Sequence, residues 1–326
     1  MSDSPLIEVR DLTKRYAGHT AVSGMTFSVG RGEVVGLLGP NGAGKTTTMR
    51  ILSGFMPATS GTARVAGFDV STESREVRRR IGYMPENNPL HVDMRVRDYL
   101  RFRARLKGLA RGQVAGRVNT VMEQCGLVDV SRKIVGHLSK GYRQRVGLAD
   151  SLVHEPELVI LDEPTIGLDP HQIRSVRRLV KSLGRSHTIL ISTHILSEVE
   201  MTCSRVLIMN GGRILAADTT QNLQALASDA AQVVVEVRAP EAELRACWEA
   251  MAEVQSFDVA PSAGDYWRCL LVVRPEVDVR PAVYEQVSRR GWGLRELSLS
   301  RVSLEDIFVR VTGGEDEELE EVEEGL

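Results

Sequence analysis

Residues 33–47, EVVGLLGPNGAGKTT, constrain the chain more than any other stretch. An apolar run from Val34 to Leu38 leads into Gly39-Pro40-Asn41-Gly42-Ala43-Gly44-Lys45-Thr46-Thr47. The spacing G-x-x-x-x-G-K-[ST] is that of a phosphate-binding loop. The run before it is short, apolar and stopped by glycine, so it reads as a buried strand. The TTTMRILSG that follows has helical spacing, with Met49 and Leu52 near one face. Strand, glycine loop and helix form the context the motif requires. Glycines let backbone N–H groups turn inward around phosphate oxygens. The helix start adds its unpaired N–H groups and the positive end of its dipole. Lys45 is expected to reach the β- and γ-phosphates, and the Thr46 hydroxyl to ligate Mg²⁺.

A chain of 326 residues has room for one large domain or two smaller ones. Its 42% hydrophobic and 26% charged residues are those of an ordinary globular protein. Cys125, Cys203, Cys247 and Cys269 are scattered without a C-x-x-C pair. Neither a zinc site nor a disulfide framework is indicated, and free thiols in a reducing cytosol are the default. The opening MSDSPLIEVRDL lacks the basic-then-apolar pattern of a signal segment. No 18-residue apolar run free of charge occurs, so any membrane-spanning part belongs to another chain. The net charge of −2 is uneven: residues 315–324, EDEELEEVEE, hold eight acidic groups and no basic one. Without those eight charges the rest of the chain stands at +6. Residues 315–326 are expected to be a disordered, solvated tail.

Further apolar segments alternate with helical patterns. LIEVR (6–10) and MTFSVG (25–30) read as strands, with TKRYAGHT between them as a turn-rich link. Tyr16 in that link is either a packing residue or a flat face for a nucleotide base. A basic helix leads into a short strand, Ile81 to Met84, and a Pro/Asn loop; residues 95–130 are helical and rich in arginine. LVILDEP (158–164) is a second buried strand ending in two carboxylates, and HTILIST (187–193) a third ending at His194. SRVLIMNGGRILAAD (204–218) reads as two strands around a Gly-Gly turn. Such alternation argues for an α/β core.

Near residue 228 the pattern becomes strand, helix, strand, strand, helix, strand, the order of a ferredoxin-like domain. SLEDIFVRVTG then predicts a short helix capped by Ser303. This second part carries no nucleotide or metal motif and reads as a regulatory or dimer-stabilising module.

Strand ends are where α/β proteins place their sites. Asp162 is expected to hold Mg²⁺, and Glu163 to orient and deprotonate the attacking water. Adjacent residues on a strand point to opposite faces, which suits two separate tasks.

With these residues in place the sequence resembles a family. LSKGYRQRVGLA (138–149), lying before LVILDEPTIGLDP, looks like the signature segment of ABC-transporter ATPases. It matches at Leu138, Ser139 and Gly141, and departs at Lys140 and Tyr142, where the family usually has glycine and glutamine. The resemblance covers roughly residues 5–220. It implies an α/β P-loop NTPase core with an antiparallel β subdomain and a helical subdomain, to which the strand and helix order after residue 228 adds a C-terminal α+β ferredoxin-like domain. The expected spans are 1–227 for the ATPase, with 88–150 helical, 228–314 for the accessory domain and 315–326 for the tail. By resemblance, Tyr16 stacks on adenine, Gly39 to Thr47 hold the phosphates of ATP, and Thr46 and Asp162 serve Mg²⁺. Glu163 is the general base, with Lys45 and the switch histidine His194 beside it. Ser139 and Gly141, and Asp169 in IGLDP, face the opposite copy. The family's metal-touching glutamine is replaced by Glu86, expected to join the metal site.

The chain holds one phosphate loop, so its signature is expected to complete the site of a second copy, with two ATP between two head-to-tail chains. The function implied is the ATP-hydrolysing subunit of an exporter, peripheral on the inner face of the cell membrane, working with a separate permease. The proline-flanked acidic loop and the C-terminal domain resemble the branch linked to gliding motility and multicopper-enzyme maturation. The rivals are a soluble ABC ATPase acting on nucleic acid or ribosomes, and a regulatory module that holds ATP without turnover. One ATPase unit and the lack of a basic stripe weigh against the first. Lys45, Asp162, Glu163 and His194 weigh against the second.

Overall fold

The computed structural model describes residues 4–226, 231–273 and 278–300. The helix expected at Ser303 and the acidic tail lie outside the described residues.

Strands β1 (Ile7–Tyr16) and β2 (His19–Val29) form an antiparallel hairpin with Tyr16 opposite His19. TKRYAGHT is therefore strand rather than link, and only Ala17 and Gly18 turn. Gly18, at φ 77°, supplies the left-handed residue. The hairpin tip stands clear of the core, with Arg15 and Tyr16 exposed. That leaves this stretch without the apolar alternation that marks a strand in sequence.

Strand β3 (Val34–Leu38) enters the glycine loop and helix α1 (Lys45–Leu52) leaves it. Strands β4 (Ser60–Val65) and β5 (Phe68–Asp69) complete a four-stranded sheet in the order β2-β1-β4-β5. Helix α2 (Ser74–Arg80) and strand β6 (Ile81–Met84) follow. The arginine-rich stretch splits at Gly108, φ 89°, into α3 (Val96–Leu106) and α4 (Arg111–Gln124), and α5 (Lys140–Leu152) packs on both. Then come β7 (Leu158–Asp162), α6 (Pro170–Leu183), β8 (Thr188–Thr193), α7 (Leu196–Thr202), β9 (Arg205–Asn210) and β10 (Arg213–Thr219). Gly211 and Gly212, both at positive φ, make the tight β9–β10 turn that two-residue hairpins favour.

The six-stranded sheet runs β10-β9-β3-β8-β7-β6, parallel except for the β9–β10 pair. Strand β7 is buried along its whole length. Leu158 and Ile160 join the core shared with α1 and the antiparallel sheet, while Val159 and Leu161 join the core under α3 to α6. A strand covered on both faces has no solvated side, which is why LVILD and TILIST read as unbroken apolar runs. Truncating one such leucine to alanine costs about 2–5 kcal/mol.

Parallel register brings strand ends level: Leu38 pairs with Thr193, and Asp162 with Ser192. The antiparallel sheet meets this edge through backbone. A Cβ on Gly44 would stand 2.3 Å from the Ala21 carbonyl oxygen, and one on Gly212 2.9 Å from it. The Ser23 N–H donates to the Gly212 carbonyl at 2.9 Å.

A boundary between two compact units falls between Thr219 and Thr220. The second unit opens with α8 (Thr220–Leu226). It continues through β11 (Ala231–Arg238), α9 (Glu241–Glu249), β12 (Val254–Pro261), β13 (Trp267–Val273), α10 (Arg280–Arg289) and β14 (Gly293–Ser300). Its sheet is antiparallel, in the order β12-β13-β11-β14. Alternate residues Val233, Val235 and Val237 pack with Trp248 of α9 and Val283 of α10.

Candidate nucleotide site

A cleft of about 490 Å³ opens at the carboxyl ends of the parallel strands. Asn41 to Thr47, Tyr16, Glu86 and Glu163 line it. The loop bends where left-handed backbone is needed, at Gly42 (φ 88°) and Gly44 (φ 95°). Gly39 and Pro40 stand behind the lining, and their carbonyls accept from Lys45 Nζ at 2.7 and 3.0 Å. Lys45, the first residue of α1, is thereby held along the loop with its ammonium 3.5 Å from Glu163 Oε1.

Thr46 Oγ1 donates to Asp162 Oδ1 at 3.1 Å, and Ser192 Oγ donates to the same oxygen at 2.6 Å. Glu163 departs from strand alternation, because its backbone is left-handed at φ 48°. The two carboxylates do not serve opposite faces as alternation predicts; both reach the first residues of α1. The twist is held by the Glu163 N–H, which donates to the Ser192 carbonyl at 3.2 Å and the Ser192 hydroxyl at 3.0 Å. Strain of this kind at a non-glycine residue costs of order 1–3 kcal/mol and gathers at functional sites. The far oxygen of Glu163 lies 3.0 Å from His194 Nδ1. Burial, with the Asp162 charge beside it, pushes the Tyr83 phenol up to about 12.

Tyr16 forms one wall, 45% exposed, with its hydroxyl on Met56 Sδ at 3.2 Å and Lys14 Nζ 5.4 Å from its ring centre. Glu86 is half-buried in the wall beside the loop. Ser139, Gly141 and Asp169 do not line this cleft. Ser139 caps α5, accepting from the Tyr142 N–H, and Asp169 caps α6, accepting from the Gln172 N–H at 2.9 Å. Gly141 packs against Gln172, so the two caps form one surface apart from the cleft.

The cation implied by the loop has a place here. Asp162 Oδ2 is buried with no hydrogen-bond partner among the described residues, an acceptor that a cation would satisfy. Among the described residues no three His, Cys, Asp or Glu side chains are placed to hold a metal ion by themselves. Thr46 and Asp162 fit the sparse protein contribution usual for Mg²⁺, whose other ligands are phosphate and water.

Three supporting residues were not legible in the sequence. Ser192 ties Asp162 to Glu163. Glu198, buried on α7, accepts from Thr165 Oγ1 at 2.7 Å and Thr193 Oγ1 at 3.0 Å, joining the loops after β7 and β8. Gln144 lies inside α5, bonded to loops on both sides. Of the three, only Ser192 carried a sequence signal, a polar residue at the end of an apolar strand.

A glycine loop between β3 and α1, facing a carboxylate at the end of β7 in a parallel sheet, defines a P-loop nucleotide hydrolase. The ABC transporter family model matches residues 22–166. A second model, an AAA domain described as a putative AbiEii toxin of a type IV TA system, matches residues 135–200. The chain is 33% identical to the bacitracin transport ATP-binding protein BcrA of Bacillus licheniformis, over 95% of this chain and 98% of that one. It is 36% identical to the Nod factor export ATP-binding protein I of Burkholderia orbicola, over 97% and 99%. Among solved structures, CbiO1 of Clostridium perfringens, part of the transporter complex CbiONQ, superposes with a TM-score of 0.63 at 29% identity, covering 69% of this chain and 92% of that one. The chain belongs to the ATP-binding subunits of ABC transporters. Its nucleotide is ATP and its chemistry is ATP hydrolysis. No helix among the described residues is long and apolar enough to cross a membrane.

Proposed function

We propose that this chain is the ATPase subunit of an exporter, peripheral on the inner face of the cell membrane, driving a separate permease chain. The relative named for Nod factor export supports that direction. The observation that carries the reading is the joining of Lys45, Thr46, Asp162, Glu163 and His194 at one sheet edge, while Ser139, Gly141 and Asp169 stand apart from the cleft. Those three are the residues a second copy would use, in a head-to-tail pair closing on two ATP.

In each site Tyr16 would face the base and residues 39–47 the phosphates. Thr46 and Asp162, with Glu86 in the same cleft, would hold Mg²⁺, which would supply neutralisation of phosphate charge. Glu163 takes the proton of the attacking water, oriented by His194 on its far oxygen. Lys45 stabilises the negative charge that builds on the γ-phosphoryl group. Residues 1–219 form the ATPase, with 88–150 its helical part, and the accessory domain opens at Thr220 rather than at 228. The topology and strand order of β11 to β14 support reading the last as ferredoxin-like.

The test uses Glu163→Gln with MgATP. Hydrolysis should slow by about 10² or more with ATP binding kept, and light scattering should show twice the monomer mass. Adding Ser139→Arg should abolish that dimer and leave ATP on the monomer. Normal turnover by Glu163→Gln removes the base, and a dimer indifferent to Ser139→Arg removes the head-to-tail pair.

A further inference from the structure

Three segments of the site meet at one buried amide. Gln144, in the second turn of α5, is 6% exposed. Its Nε2 donates to the Pro164 carbonyl at 2.8 Å, and its Oε1 accepts from Asn88 Nδ2 at 3.2 Å. The amide's orientation is settled by chemistry, since a proline carbonyl only accepts and so must face the NH₂ end. Pro164 follows Glu163 directly. Asn88 lies two residues beyond Glu86 in the loop after β6. Ser139, the cap of α5, lies five residues and about 7 Å along the axis from Gln144.

The helix is shaped to admit this contact. Gly147 lies against Asn88, and a Cβ there would stand 2.4 Å from Asn88 Nδ2. Both ends of a buried amide are thus engaged, one on the carboxylate loop and one on the Glu86 loop. A shift of α5 must move both loops or leave buried polar groups unpaired, which costs about 1–3 kcal/mol for each.

We propose that Gln144 is a positioning residue for hydrolysis: it fixes the signature helix to the Glu86 loop and to the strand end bearing Glu163, so that the three seat on nucleotide together. The inference rests on the roles given above to Glu163 and Ser139. Nucleotide bound to one copy alone does not need the joint; turnover does.

The experiment measures the full-length chain with Gln144→Leu, Gln144→Glu, Asn88→Ala and the double variant Asn88→Ala/Gln144→Leu, beside Glu163→Gln. Gln144→Glu keeps an acceptor for Asn88 but sets an oxygen against the Pro164 carbonyl. The Kd for MgATP on the monomer should stay within about twofold of wild type. The kcat should fall about tenfold or more in both Gln144 variants, as small misplacements of a catalytic group do, in protein still folded well above the assay temperature. The double variant should lose no more kcat than Gln144→Leu alone, because one joint is broken once. Additive losses, or a raised Kd with kcat intact, overturn the joint. If Gln144→Leu fails to fold, Gln144→Glu and Asn88→Ala give the same reading. Slow turnover by Glu163→Gln with wild-type kcat in the Gln144 variants removes the joint alone. Normal turnover by Glu163→Gln removes the base on which it rests.

Discussion

Lys45 Nζ stands 3.5 Å from Glu163 Oε1, and both side chains are under a tenth exposed. The ammonium that the γ-phosphate would draw away is the group that offsets the carboxylate's burial in its absence. Removing one partner of such a pair leaves a buried charge, at a cost of about 3–5 kcal/mol where no other group compensates. His194 on the far oxygen softens that cost.

In nucleotide-free protein, Lys45→Met should therefore lower stability by about 2–3 kcal/mol, and Lys45→Met/Glu163→Gln should recover most of the loss. Urea unfolding of wild type and both variants measures it. Equal midpoints for the single and double variants would show that the pair does not compensate burial.

Glu86 adds a third carboxylate to a cleft that already holds Glu163 beside Asp162. Mutual repulsion is offset when a divalent cation is present. Glu86→Gln should shift half-activation of the ATPase to higher Mg²⁺ and tighten metal-free ATP binding. Superimposable magnesium titrations would remove Glu86 from the metal site.

His154 is held neutral. Burial, and then the Lys107 charge, push it down to about 4. Lys107 Nζ lies 3.4 Å from its Nδ1, and its Nε2–H donates to the Ile81 carbonyl at 3.0 Å. The folded pKa lies below the unfolded one, so the unfolded chain binds the extra proton. Stability is fully present above about pH 6.5 and is lost as pH falls toward 4, by at most about 3 kcal/mol. Melting temperature against pH should fall less steeply across that window in His154→Gln than in wild type. Parallel curves would mean that His154 protonates freely in the fold.

Two glycines should respond oppositely to alanine. A Cβ on Gly82 in β6 would lie 2.1 Å from the Ser151 carbonyl oxygen, a backbone contact that cannot step aside. Gly82→Ala should destabilise by about 1–3 kcal/mol. Gly116, inside α4, has nothing within 4 Å of its added Cβ. Gly116→Ala should stabilise by about 0.5–1 kcal/mol through helix propensity. Differential scanning calorimetry decides both, and a stable Gly82→Ala would mean that the α5–β6 approach is soft.

The phosphate loop, Asp162, Glu163 and His194 were legible because each follows a strand buried on both faces, where apolar runs end abruptly. The C-terminal strands were legible as short β-branched runs such as VVVEVR (233–238), spaced by helical segments. The hairpin bearing Tyr16 was not, since its tip has no core to face and so no periodicity. Nor was the left-handed turn at Glu163, which depends on Ser192, 29 residues away. The contacts of Gln144 with Asn88 and Pro164 span 56 and 20 residues, and no local pattern encodes them.

The Ala21 carbonyl is pressed by Gly44 on one side and Gly212 on the other. The hairpin that ends in Tyr16 therefore rests on the phosphate loop with no room for a side chain between their backbones at Gly44. The Tyr16 hydroxyl is already engaged by Met56, so the tyrosine offers only its flat face. An alanine at Gly44 would disturb the hairpin that bears Tyr16 and the phosphate loop together.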